Sequence, residues 1–204
     1  MTGPTRDFWR EKFRASDTPW DRGEVHPQLV RWIDESALTR CRILVPGCGS
    51  GHEVAHLAAR GFDVTAIDYA PEAVRLTQAR LANAGLNAKV EEADALTWQS
   101  DAPFDAIYEQ TCLCALHPDQ WTRYAAQLRN WVLPGGALCA LFMQAQRLGA
   151  AEGFVEGPPY HTDIHAARAL FCEPDWIWPK PPFPRSDHPR GIFELGVLLR
   201  RSGA

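Results

Sequence analysis

Between Arg42 and Gln144 short apolar runs alternate with longer segments of mixed polarity, and glycine or proline stands at most of the joins. Arg42-Ile43-Leu44-Val45 is apolar up to Pro46 and predicts a buried strand. Segment 54–60 follows as a helix that Gly61 closes. Segment 62–68 is a second strand. Segment 71–84 is a helix with Pro71 in its first turn, where a missing N–H costs nothing. Strands are expected at 88–91 and 104–109, a helix at 118–131 that stops before Pro134-Gly135-Gly136, and a fifth strand at 137–144. One more helix at 162–171 and a closing strand at 191–200 complete the pattern.

Strands that alternate with helices predict βαβ units and a parallel sheet, so the fold class is α/β. Ligands of such sheets bind beyond the carboxyl ends of the strands. Gly47, Asp68, Asp94 and Glu109 each fall at or just after a strand end, and so belong to one edge. The stretch 157–189 carries prolines at 158, 159, 174, 179, 181, 182, 184 and 189, and reads as a long stiffened loop rather than a domain.

Composition narrows the choice of function. The 204 residues suit one domain, and an apolar share of 46% is enough for a sizeable core. A net charge of -4 argues against a nucleic-acid binder held by a basic patch. No apolar run is long enough to span a membrane, and residues 1–14 lack the apolar stretch of a secretory signal. Cysteines at 41, 48, 112, 114, 139 and 172 have no zinc spacing, so no metal site is expected. They read as free thiols in a reducing cytoplasm.

The chemistry centres on Gly47-Cys48-Gly49-Ser50-Gly51. A strand that ends in Gly-x-Gly-x-Gly and enters a helix lets backbone N–H groups come close to a ligand. A dinucleotide fingerprint would place its third glycine at 52, where His52 stands. The observed spacing suits the amino-acid end of S-adenosylmethionine better than a pyrophosphate. Asp68 ends the second strand, placed to accept both ribose hydroxyls or to cap the helix at Pro71. Asp94, followed by Ala95, is an acceptor for an adenine amino group or a solvated loop acid. Glu109, Gln110 and Thr111 close the fourth strand, to hold an ammonium group, to shape the methyl-transfer site or simply to turn the chain.

Phe8, Trp9, Phe13 and Trp20 are large rings outside any βαβ unit, and Trp9 and Phe13 share a helix face. They either pack on the domain or form a lid whose rings cover a cationic sulfonium. His161 and His117 are candidate bases, each with the alternative of an ordinary loop histidine.

Thr18-Pro19-Trp20-Asp21-Arg22-Gly23, then the stretch Leu44 to Val54 around the glycines, then Gly157-Pro158-Pro159-Tyr160, resemble the thiopurine S-methyltransferase superfamily, in particular its thiol and halide methyltransferase branch. The likeness runs from about Phe8 to about Tyr160 and returns at Phe193 to Leu199. It implies a Rossmann-like seven-stranded methyltransferase sheet, mostly parallel, with helices on both faces. The whole chain is then one domain, 1–204, with a lid segment at 1–40 and a core at 41–204. Trp9 and Trp20 occupy cofactor-contacting places of that family. Phe13 stands where plant members carry a further tryptophan. Gly47, Asp68, Asp94 with Ala95, and Gln110 fall on its other cofactor positions, although thiopurine enzymes carry arginine where Gln110 stands. Tyr160 falls on the motif placed near the acceptor.

The expectation is therefore a cytoplasmic, monomeric enzyme. It would move a methyl group from S-adenosylmethionine to a small thiol, sulfide or halide, leaving S-adenosylhomocysteine. Thiopurine, oxygen or nitrogen acceptors are alternatives within the class. A NAD-dependent oxidoreductase and a non-catalytic S-adenosylmethionine-binding protein are alternatives outside it.

Overall fold

A computed structural model describes residues 3–147, 149, 152–188 and 191–203, so Pro189 lies outside the described residues. The elements in order are α1 (Arg6–Arg14), α2 (Pro27–Asp34), β1 (Arg42–Pro46), α3 (His52–Ala59), β2 (Asp63–Asp68), α4 (Pro71–Asn83), β3 (Lys89–Glu92) and β4 (Phe104–Gln110). They continue with α5 (Cys112–Ala115), a 3₁₀ turn (Pro118–Gln120), α6 (Trp121–Trp131), β5 (Val132–Gln144), α7 (Ile164–Leu170), β6 (Trp176–Ile177), β7 (Arg185–Asp187) and β8 (Phe193–Arg201).

The strands form one sheet in the order β3-β2-β1-β4-β5-β8-β6, with β7 also paired to β8. The first five are mutually parallel, and β8 runs antiparallel between β5 and the edge. Past their first residues β1 and β2 are buried, which is why they appear in the sequence as largely apolar runs. On one face Leu29 and Trp32 of α2, Val54 and Leu57 of α3 and Leu81 of α4 pack against Ile43, Val45, Ala106 and Tyr108. On the other, Trp121, Tyr124 and Leu128 of α6 and Ala167 of α7 pack against Leu44, Ile67, Ile107 and Leu138. The result is three layers, with helices on both faces of the sheet.

Two expectations are corrected. The sheet has eight strands rather than seven, because the proline-rich stretch contributes β6 and β7 to opposite ends of β8. Prolines stay outside these pairings, where an absent N–H breaks no ladder. Pro134-Gly135-Gly136 is not a break before β5 but lies within it. Pairing jumps from Phe104↔Val132 to Ala106↔Ala137, so the extra residues are absorbed as a bulge. Among the described residues no helix is long and apolar enough to cross a membrane.

Candidate active site

The turn after β1 is clamped from both sides. Cys48 N–H donates to the Ile67 carbonyl of β2 (3.1 Å), and Gly51 N–H to the Cys48 carbonyl (3.0 Å). From α4, Thr77 Oγ1 donates to the Gly49 carbonyl (3.0 Å) and Arg80 Nε to the Ser50 carbonyl (2.7 Å). Backbone φ is +64° at Gly47, +55° at Gly49 and +76° at Gly51, values that glycine alone adopts without strain. A side chain at Gly51 would meet Thr77 at 2.6 Å, whereas one at Gly49 would stand in open space. Glycine at 51 therefore serves packing, and glycine at 49 leaves room on the solvent side.

Asp68 braces the turn from below. Its Oδ2 accepts the Gly49 N–H (2.9 Å) and its Oδ1 the Ala70 N–H (2.9 Å). Burial pushes its carboxyl up to about 6, against the backbone N–H bonds, which favour the charged form. The Tyr69 N–H faces the same carboxylate, and a carboxylate offers about four lone-pair sites, so capacity for a further donor remains.

An open cleft with about 520 Å³ of empty space lies at the carboxyl ends of β1 and β4. Gly47 and Gly49 form its floor, Gln110 and Thr111 one wall, and Trp20 and Arg22 the other. Of the residues expected from sequence, Gly47, Gly49, Trp20 and Gln110 meet here. Gln110 is fixed by the Tyr108 hydroxyl, which donates to its Oε1 at 2.7 Å. Trp9 and Phe13 sit behind Trp20, with edge-on ring contacts at 5.4 and 5.8 Å. Salt bridges from Arg10 and Arg14 to Glu72 hold α1 against α4.

The other expected residues lie elsewhere. Glu109 points into the opposite layer, where its Oε1 accepts the Leu113 N–H (2.7 Å) at the start of α5. Burial raises its carboxyl to about 7. Asp94 Oδ1 accepts the Leu96 N–H (2.9 Å) in the turn after β3, and Ala95 is buried against the α6 layer. Tyr160 is buried, with its N–H on the Cys114 carbonyl (2.8 Å) and its ring against His117 (5.4 Å). His161 lines a second cavity with about 480 Å³ of empty space, and its Nδ1 accepts the Ala145 N–H (3.1 Å).

Sequence reasoning gave no role to several groups that shape the cleft. Asp21, Arg22 and Glu24 line it, although Asp21 and Arg22 stood within the quoted Thr-Pro-Trp motif. Thr111, expected at the ligand edge with Gln110, does line it, at φ +63°, a left-handed conformation unusual for a β-branched residue and frequent at functional sites. His52 and Glu53 close the α3 side. Burial, followed by Arg80, lowers His52, and burial raises Glu53.

A parallel β3-β2-β1-β4-β5 sheet with one antiparallel strand beside β5, a glycine turn after β1 and an acid ending β2 define the class of S-adenosylmethionine-dependent methyltransferases. The model of the thiopurine S-methyltransferase family matches residues 4–177, and the chain belongs to that family. Thiocyanate methyltransferase 1 of Arabidopsis thaliana is 30% identical over 161 residues, which cover 76% of this chain and 67% of the relative. A thiopurine S-methyltransferase of Azotobacter vinelandii is 29% identical, covering 83% of each chain. Magnesium protoporphyrin IX methyltransferase from Synechocystis PCC 6803, solved with bound S-adenosylhomocysteine, superposes with a TM-score of 0.74 at 15% identity, covering 97% of this chain and 99% of that one. The protein is thus a methyltransferase that uses S-adenosylmethionine. Its site fits that cofactor: an unobstructed turn at Gly49, an anchored acid beneath it and aromatic rings at the rim.

Proposed function

We propose that this enzyme methylates a small sulfur nucleophile, a thiol, sulfide or thiocyanate, with halide as a secondary acceptor. The reading is carried by the cleft between the clamped glycine turn and Trp20, in a family whose relatives are named for thiocyanate and thiopurine. S-adenosylmethionine supplies an electrophilic methyl group on a sulfonium.

In this reading the turn from Gly47 to Gly51 and Gln110 hold the amino-acid end, with Arg22 as the cation beside its carboxylate. Asp68 accepts the ribose hydroxyls, and Asp94 with Ala95 borders the adenine. Trp9, Phe13 and Trp20 act as a lid, because aromatic faces attract a sulfonium and exclude water. Tyr160, with His117 against its ring, borders the acceptor.

An anion that attacks a cation gives neutral products, and water slows such a step by solvating the separated charges. The protein's levers are therefore alignment and dryness. A thiolate needs little further activation, so the reading does not depend on the carboxylates and the histidine that also line the cleft. The same reading gives one domain over 1–204 that acts as a monomer. Free cysteines, three of them buried, support a reducing cytoplasm.

Incubation with methyl-labelled S-adenosylmethionine and a panel of hydrogen sulfide, methanethiol, thiocyanate, iodide, phenols and amines tests the acceptor class. Label is expected in the sulfur acceptors first, then iodide. Cofactor binding with label only in the phenols or amines, or in nothing, overturns it.

A further inference from the structure

The Thr-Pro-Trp-Asp-Arg-Gly stretch carries a carboxylate that the proposed chemistry does not use. Asp21 has partners on two separate elements. Its Oδ1 accepts the Gly23 N–H (2.8 Å), which shapes its own loop, and stands 3.3 Å from His52 Nε2. Its Oδ2 accepts the Ser50 hydroxyl. Ser50 and His52 flank Gly51, the last glycine of the turn.

Those two residues are themselves fastened to α4. Arg80 Nε holds the Ser50 carbonyl at 2.7 Å, and Arg80 Nη2 lies 3.1 Å from His52 Nε2. A continuous chain of polar contacts thus runs from α4 through the turn to the loop at Asp21. Immediately before Asp21 is Trp20, on which the Trp9 and Phe13 rings rest. Immediately after it are Arg22 and Gly23, and Arg22 lines the cleft. The aromatic roof and the glycine floor are joined at this carboxylate.

We infer that Asp21 is a positioning residue that latches the Trp20 segment to the glycine turn through Ser50, so that roof and floor close on the cofactor as one unit. The inference rests on the cofactor-binding reading of the cleft. A latch suits the location because its bonds lie at the cleft rim rather than in the core. Asp21 keeps 22% of its side-chain surface exposed, so water can replace Ser50 when the segment lifts. Ligand exchange in a covered site needs such a release. A charge-assisted hydrogen bond is strong enough for its loss to be measurable.

The test is a double-mutant cycle on S-adenosylhomocysteine affinity by calorimetry, with kcat and KM measured in parallel. Asp21→Ala and Ser50→Ala are each expected to weaken binding about tenfold, the scale of one hydrogen bond to a charged group. The double variant should lose no more than the worse single, because both remove the same bond. Asp21→Asn keeps an acceptor and a donor in place, and should recover affinity to within about threefold of wild type, as a neutral substitute for a charge-assisted bond. KM for the cofactor should rise more than kcat falls, which a general loss of folding does not produce. Trypsin, which cuts after Arg14 and Arg22 in the lid segment, should cleave Asp21→Ala faster than wild type when S-adenosylhomocysteine is present.

Additive losses in the double variant overturn the latch, as does wild-type affinity in both single variants. If Asp21→Ala does not fold, Ser50→Ala and Asp21→Asn carry the same comparison. Wild-type protein that fails to bind S-adenosylhomocysteine overturns the cofactor reading instead, so the two failures are distinct.

Discussion

Asp68 shows how one side chain can brace two backbone segments at a stability cost. The sequence offered it two roles, ribose acceptor or cap for the helix at Pro71. The structure gives its Oδ1 the N–H of Ala70, the residue that caps α4, and its Oδ2 the N–H of Gly49. Position at a strand end made Asp68 legible. Its bond to Gly49 was not, because only the assembled sheet brings the turn after β1 over the end of β2. Burial raises its pKa from 3.8 to about 6, so the folded state holds the proton more tightly than the unfolded chain. The associated stability is fully present below the unfolded value and is lost as pH rises through about 6. Its size is on the order of 3 kcal/mol. Urea titrations should show wild type losing stability relative to Asp68→Asn between pH 4 and 6.5, by about that amount. A constant difference across this window removes the buried-acid account. Affinity for S-adenosylhomocysteine should fall in the opposite direction, weakening below about pH 6 as the acceptor is protonated.

At the level of elements, the glycine turn separates into a packing position and an open position. Gly51→Ala places a methyl group 2.6 Å from Thr77 Oγ1 and 2.9 Å from its Cα, at φ +76°. Gly49→Ala carries only the conformational strain at φ +55°, with open space around the new methyl. The first is expected to cost about 3 kcal/mol or more, from overpacking added to left-handed strain. The second should cost about 1 kcal/mol, yet abolish measurable cofactor binding. Thermal unfolding and calorimetry on the two variants check this; equal stability losses would contradict the division. The central strands were legible because buried parallel strands are largely apolar runs; β3, with Lys89, Glu91 and Glu92, is not one of these. Helix α2 also carried a signal, with Pro27 at its start and Leu29, Trp32 and Ile33 on one face, but it stood outside the alternating region. Helix α5, β6 and β7 have four, two and three residues, too few for any periodicity. They exist through partners: Glu109 beneath α5, and β8 beside the two short strands.

Across the whole molecule, the segment before the sheet is tied to the last strand by a contact 168 residues apart in sequence, between His26 and Glu194. No local pattern announces such a pair. Both side chains are fully buried. His26 Nδ1 accepts the Gln28 N–H (3.1 Å) at the start of α2, which leaves Nε2 to donate to Glu194 Oε2 at 3.0 Å. Arg22 adds a weaker contact, its Nη1 lying 3.9 Å from the same oxygen. Glu194 Oε1 has no hydrogen-bond partner among the described residues, so His26 is the principal donor to this buried carboxylate. His26→Ala removes the donor, uncaps α2 and leaves the acid buried. A loss of about 3–5 kcal/mol is expected, a large part of a typical domain's total of about 5–15 kcal/mol. Glu194→Gln in the same background should restore part of that loss, because an amide has no charge to bury. Urea midpoints for wild type and the single and double variants decide the matter. An unchanged midpoint in His26→Ala, or a double variant no more stable than the single, would mean that α2 and its packing alone join the cleft's outer wall to β8. With the predicted pattern, the loop that follows Trp20 is anchored to the closing strand through His26, so the Trp20 segment, once Asp21 releases Ser50, is free to move only as far as the loop before His26 allows.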